Sequence, residues 1–185
     1  FSITGDWDKP KINGGIDINN GTLGFKGIAY RLTSVSGYVY VDENRVVVEK
    51  IAGNLAGGDM LMSGVAYMRG FSIDRFFLEA RLKDITASVS RQFWLNFGGV
   101  LYYRGTMQSQ TIFGDINIKR ERYSERVEWK AILLEARRKD RPKAEFTALE
   151  KTNLNIKVTG ANLVIDNNLA KAVMTTDAIL RGTVG

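Results

Sequence analysis

The stretch FFLEARLKDI, residues 76–85, decides how the chain reads. Phe76, Leu78, Ala80 and Leu82 alternate with Glu79, Arg81 and Lys83. Side chains two apart on a strand share a face, so this is a strand with one apolar face and one charged face. The same period recurs along the chain. GGIDINNGTL sets Ile16 and Ile18 against Asp17 and Asn19, and TNLNIKVTG puts Leu154, Ile156 and Val158 together. KAVMTTDAILRG puts Ala172, Met174, Thr176, Ala178 and Leu180 opposite Thr175 and Asp177. Turn signals separate these runs: DEN at 42–44, GGD at 57–59 and DNN at 166–168. The two prolines, Pro10 and Pro142, lie outside the periodic stretches.

Other segments are apolar at both parities: GYVYV (37–41), RVVV (45–48), DMLMSGVAYM (59–68) and FWLNFGGVLYY (93–103). They fit central strands covered on both sides, as in a closed β-sandwich. They equally fit a curved sheet with an apolar inner trough and a partly covered outer face. Gly24, Gly27, Gly53, Gly64, Gly98 and Gly99 lie within or beside strands, where glycine permits bulges, curvature and close backbone approach. One region breaks the period. In SERVEWKAILLEARRKD, Val127, Ala131 and Leu134 recur at helical spacing beside Trp129, Ile132 and Ala136. This predicts a helical segment at about 124–150, with Ser124 as N-cap and Arg137, Arg138 and Lys139 at the C-terminal end. The fold class expected from the residues is all-β and mostly antiparallel with a minor helical insertion, the closed sandwich and the curved sheet both standing at this point.

With no histidine and no cysteine, a Cys/His zinc site, a Ser-His-Asp triad and a Cys-His pair are excluded. The acidic residues are scattered singly, so no catalytic group, metal site or cofactor is assigned. The net charge of +6 is local, since residues 119–143 carry ten basic and five acidic side chains. Arg137, Arg138, Lys139, Arg141 and Lys143 read as a solvated helix end or as contacts for anionic lipid head groups. No aromatic residue interleaves with them, which argues against nucleic acid. Trp94, Phe93, Phe97, Tyr102 and Tyr103 read as packing. Met60, Met62 and Met68 read as adaptable lining or core filler. No run approaches 18 apolar residues. The start, FSITGDWD, has neither a basic nor an apolar leader region, so the chain is expected to be a piece of a longer one.

A repeat appears at an offset of 100. Gly5, Ile12, Gly14, Ile16 and Ile18 align without gaps with Gly105, Ile112, Gly114, Ile116 and Ile118. A partial third copy begins at AILRGTVG. Repeat-like units therefore start near 5 and 105 within a single unit of 1–185 that reads as part of a longer repetitive domain. The alternation, this repeated segment, the RERYSERVEW transition and LNIKVTGANLVIDNNLAKAVMTTDAILRGTVG together resemble the C-terminal region of TamB-like proteins. These are translocation and assembly module subunits of Gram-negative bacteria, within the AsmA-like group.

The resemblance implies the curved, mostly antiparallel sheet, forming an open apolar groove of the β-taco kind. It implies a periplasmic bridge, anchored to the inner membrane by a segment outside this sequence, that serves phospholipid transport and outer-membrane protein assembly. The partners it implies are phospholipid acyl chains, an outer-membrane assembly barrel of the TamA or BamA type, and unfolded outer-membrane proteins. The alternative is a scaffold that chaperones outer-membrane strands by strand-edge pairing, without conducting lipid. On either reading the groove-lining residues are the apolar parity of the alternating strands: Ile16, Ile18, Phe76, Leu78, Ala80, Leu82, Ile116, Ile118, Leu154, Ile156, Val158, Met174 and Leu180.

Overall fold

The computed structural model describes residues 2–6, 9–24, 30–90, 93–123, 152–166 and 171–183. The helical segment expected at about 124–150 lies outside the described residues. What is described is all-β: β1 (Ser2–Asp6), β2 (Lys9–Leu23), β3 (Leu32–Glu43), β4 (Arg45–Leu55), β5 (Gly58–Arg69), β6 (Ser72–Ser90), β7 (Phe93–Gly105), β8 (Gln110–Tyr123), β9 (Thr152–Asp166) and β10 (Lys171–Thr183). The ten strands form one curved sheet in sequence order, with β1 and β10 at its two edges, so it is not closed into a barrel.

Turn chemistry dictates the meander. Leu55 pairs with Gly58 across Ala56 and Gly57, both at positive φ (48° and 82°), the type I′ geometry that matches strand twist. Gly70, at φ 62°, opens the two-residue turn between Arg69 and Ser72. The β7–β8 loop closes on a Thr106 N–H to Ser109 carbonyl bond of 2.9 Å. All neighbours pair antiparallel except β8 and β9, which run parallel. A parallel pair needs a crossover, and residues 124–151 connect the end of β8 to the start of β9.

Following partners from strand to strand gives unbroken transverse rows. One runs Ile18, Gly37, Ile51, Met62, Ala80, Leu101, Gly114, Ile156, Leu180. The next runs Ile16, Val39, Val48, Gly64, Leu78, Tyr103, Ile112, Leu154, Gly182. Both rows belong to one apolar face. The opposite face carries the charge, as in the row Leu61, Arg81, Val100, Asp115, Lys157, Ile179.

The apolar face is the inside of the curve. All ten strands share one sheet, so no second described layer stacks upon it. Nonetheless Val35 is 0 % exposed, and Leu32, Ile51, Ile85 and Ile156 are buried. A single sheet covers side chains to that degree only on the inside of a bend. The bend has a local cause. Asn20, Ser34 and Asp84 sit at φ 52°, 52° and 55°, inside the register breaks between Ile18 and Gly21, Thr33 and Ser36, and Leu82 and Ile85. β4 has a further break between Val48 and Ile51, and β7 and β8 have one at Asn96/Phe97. Each break is an irregularity of the β-bulge kind, where an extra residue on one strand bends it and increases its twist. They fall in a band across the strands, and Val35, Ile51 and Ile85 flank it. Nine strand spacings make the resulting trough about 43 Å long.

Bending crowds the inner face, and glycine relieves the crowding. Gly114 has φ 143°, and a Cβ there would lie 2.1 Å from the Val100 carbonyl oxygen. On the outer face Lys119 of β8 reaches across β7 to Asp84 of β6, Nζ to Oδ1 2.8 Å. It passes over Gly98, where a Cβ would meet Lys119 Cε at 3.6 Å. This ion pair clamps alternate strands at the bend, and its hydrogen bond holds the Asp84 carboxyl below its ordinary value.

Two outcomes follow. Gly114→Ala should lower stability by about 1–3 kcal/mol from backbone strain alone. Gly15→Ala, whose added Cβ would meet only the movable Tyr38 ring, should stay within about 0.5 kcal/mol in the same denaturant titration. The folded pKa of Asp84 is lowered, so the clamp stabilises above the ordinary carboxylate value and its contribution is lost as pH falls through the lowered one. Wild type and Lys119→Ala should therefore differ in denaturation midpoint at neutral pH and converge below about pH 4. High salt should shrink the difference.

Candidate functional site

The trough floor is assembled from every strand from β2 to β10. The register places all thirteen residues of the alternating apolar parity on this one face. Ile16 and Ile18 come from β2, and Phe76, Leu78, Ala80 and Leu82 from β6. β8 supplies Ile116 and Ile118, and β9 supplies Leu154, Ile156 and Val158. Leu180 joins them opposite Ile156, and Met174 opposite Leu163. Burial varies across the trough. Ile156 on β9 is 8 % exposed, whereas Leu180 opposite it on the edge strand β10 is 52 %, Met174 on the same edge strand 49 % and Ile16 on β2 51 %. The other nine are half-buried. They are neither packed dry nor fully wet.

Alternation identified these residues because their outward neighbours are polar. It missed an equal share of the same face. Val35, Val39, Val48, Ile51, Met60 and Met62 form or pack on the most buried cluster, with Leu32 and Leu55. Phe97 and Leu101 continue it on β7. Val39, Val48, Met60, Met62, Phe97 and Leu101 come from segments apolar at both parities, where no polar partner marks the outside, whereas Leu32, Val35 and Ile51 lie beside register shifts that interrupt the alternation. Met60 and Met62, which with Met68 read as adaptable lining or core filler, sit on this face and pack on its buried cluster. The aromatic cluster divides between the faces. Tyr103 is inside, with its ring edge-to-face on Phe76 at 4.8 Å. Tyr102 is outside, stacked on Phe77 at 5.8 Å and on Phe113 at 5.1 Å. The Arg104 guanidinium lies 4.8 Å from the centre of the Phe113 ring.

One polar cluster interrupts the inner face, at the end where β9 begins. Gln110 and Thr152 are paired in register and buried. The Tyr103 hydroxyl donates to Gln110 Oε1 at 2.8 Å, and the Thr152 hydroxyl donates to the same oxygen at 3.0 Å. These bonds lock the first pair of the parallel join. No buried side-chain nitrogen or oxygen among the described residues lacks a partner. Among the described residues the trough thus offers an incoming molecule apolar contact, its one polar cluster being already satisfied internally. Among the described residues no acidic cluster could hold a metal ion. The basic residues Arg137, Arg138, Lys139, Arg141 and Lys143 lie outside the described residues.

The repeat at offset 100 falls on equivalent hairpins. Gly5 pairs with Pro10, Thr4 with Lys11 and Ile3 with Ile12. Gly105 pairs with Gln110, Arg104 with Thr111 and Tyr103 with Ile112. The two hairpins share one register to the residue.

The grading of burial makes two substitutions of the same chemistry differ. Ile156→Asp buries an unpaired charge and should cost about 3 kcal/mol or more. Ile16→Asp, on the same face but half in water, should cost about 1 kcal/mol or less. Chemical denaturation of the two variants measures both.

Compared with protein-family models, with curated proteins and with solved structures, the chain matches none.

Proposed function

We propose that the trough holds acyl chains and that this chain is one length of a lipid conduit. The observation that carries the reading is the continuous apolar face, which runs across nine strands and is covered by no described element. An apolar surface of this extent is costly to leave in water. Half-buried rows without polar anchors suit a ligand that slides and is not held by specific contacts. Each methylene removed from water contributes about 0.8 kcal/mol. The two sheet edges, unpaired among the described residues, suit a conduit lengthened by further strands on either side. In the biological setting implied by the resemblance to TamB-like proteins, the chain belongs to a periplasmic bridge anchored in the inner membrane. It passes phospholipid to the outer membrane and supports outer-membrane protein assembly, with no catalytic step.

A second reading is strand-edge pairing with outer-membrane protein segments. It draws on β10, an edge strand with Val173, Ile179 and Leu180 exposed at 67, 55 and 52 %. A conduit and an edge can serve one protein, but they make different demands on the trough.

Native mass spectrometry of the purified chain should show co-purified phospholipid, and added phospholipid should raise the melting temperature. Leu78→Glu, in the row beside Ile156, should abolish both effects while the circular dichroism spectrum stays unchanged. Protein that carries no lipid and gains no stability from it would overturn the conduit. If β10 then crosslinked to a client strand, pairing would stand in its place.

A further inference from the structure

The outer face holds a site of different chemistry. Where β3 and β4 bulge, the sheet is hollowed on its outside, and the hollow is about 570 Å³. Ser36, Ala52, Leu61 and Arg81 form one transverse row across it, and Asn54, Asp59 and Lys83 form the next. Ser34 and Lys50 complete the polar lining. Small side chains sit at Ser36 and Ala52 while long cations ring them, which is why there is a hollow here and not a packed ridge.

Three cations and one carboxylate line this volume. Arg81 is committed to Glu79, Nε to Oε1 2.6 Å. Asp59 accepts a bond of 3.0 Å from the Asn54 amide. Lys50 and Lys83 make no ion pair among the described residues. Lys50, Lys83, Ser34, Ser36 and Asn54 thus line one hollow in which Asp59, opposite Lys83 and already bonded by Asn54, is the single carboxylate, leaving an excess of positive charge among the described residues. An adjoining hollow of about 330 Å³ shares Lys50, Leu61 and Arg81 and is lined by Glu49 and Glu79. Its carboxylates repel any anion that extends past Lys50.

We propose that this pair of hollows binds a single phosphoryl group carrying a neutral or cationic substituent. The phosphoryl oxygens take the Lys50 and Lys83 side of the larger hollow, where charge-assisted hydrogen bonds are the strong ones. The substituent points toward Glu49 and Glu79. An extended polyanion, with a second phosphate at phosphodiester spacing, meets those carboxylates and is rejected. The site lies on the face opposite the trough and is independent of what the trough carries. Two sources share this chemistry: the head group of a zwitterionic phospholipid and a soluble phosphorylated amine.

The test is a titration of the whole chain, with lysine side chains isotope-labelled for NMR, against O-phosphoethanolamine. The probe has no acyl chain, so the trough cannot contribute. Saturable shifts at Lys50 and Lys83, with Lys11 and Lys157 unmoved, are the expected result. Lys50→Gln or Lys83→Gln should each weaken binding about tenfold, one charge-assisted hydrogen bond being lost. Both side chains are exposed, so the variants keep the fold. Inorganic polyphosphate should bind more weakly than the probe. Equal shifts at all lysines, or polyphosphate binding as well as the probe does, would overturn the proposal. Co-sedimentation with phosphatidylethanolamine vesicles that is lost in Lys50→Gln/Lys83→Gln assigns the head group. Saturable binding of the probe without vesicle binding assigns the soluble amine.

Discussion

The described molecule depends on a single ladder of strand pairing whose apolar face has no second layer among the described residues to lie against. A flat sheet of this composition would expose half its side chains as one greasy plane. Curvature is the remaining way to withdraw them, and backbone irregularity supplies it. Asn20 and Asp84 are residue types that enter the left-handed region at modest cost, and they and Ser34 each interrupt their strand close to one transverse band. The sheet folds along that band, Val35 and Ile51 close over it, and glycines on the inner rows allow backbones and side chains to converge. The Lys119–Asp84 pair ties the outside of the same bend. Inner burial and outer clamping are two sides of one deformation.

Strand alternation in residues 76–85 and 152–160 carried the fold class and half of the trough, because a polar outward parity names the inward one. Residues 37–41 show why the other half was illegible. Tyr38 and Tyr40 face outward there, stacked on each other at 5.9 Å, while Val39 and Val41 face in. Aromatic and aliphatic residues look alike to a period-2 count, and only the pairing partners tell them apart. The bulges were equally hidden. Asn20, Ser34 and Asp84 read as ordinary polar positions, and their positive φ belongs to the register and not to any local motif. The parallel join of β8 and β9 left no trace in the alternation, since each strand alternates identically whichever way its neighbour runs. The outer hollow could not be anticipated either. Lys50, Arg81 and Lys83 come from two strands that meet only through β5.

The two faces then divide the chemistry cleanly. The inner rows are apolar, graded in burial and without polar anchors apart from the Tyr103–Gln110–Thr152 cluster at one end. The outer rows carry ion pairs such as Lys119–Asp84 and Arg81–Glu79, the stacked Phe77, Tyr102 and Phe113, and a hollow with more cations than carboxylates. Alternation keeps these environments separate although they lie one sheet thickness apart, so substitution on one face leaves the other face's chemistry in place.

The parallel join has a consequence for how the chain assembles. From β1 to β8 every partner is the next strand in sequence, and the loops between described ends are short. Such a meander can zip up hairpin by hairpin, with little loop entropy to overcome at each step. The β9–β10 hairpin must instead meet β8 across residues 124–151, where Gln110 and Thr152 form the first pair of the register. The described ladder therefore has a seam of connectivity, the step at which closing a strand pair costs the most loop entropy.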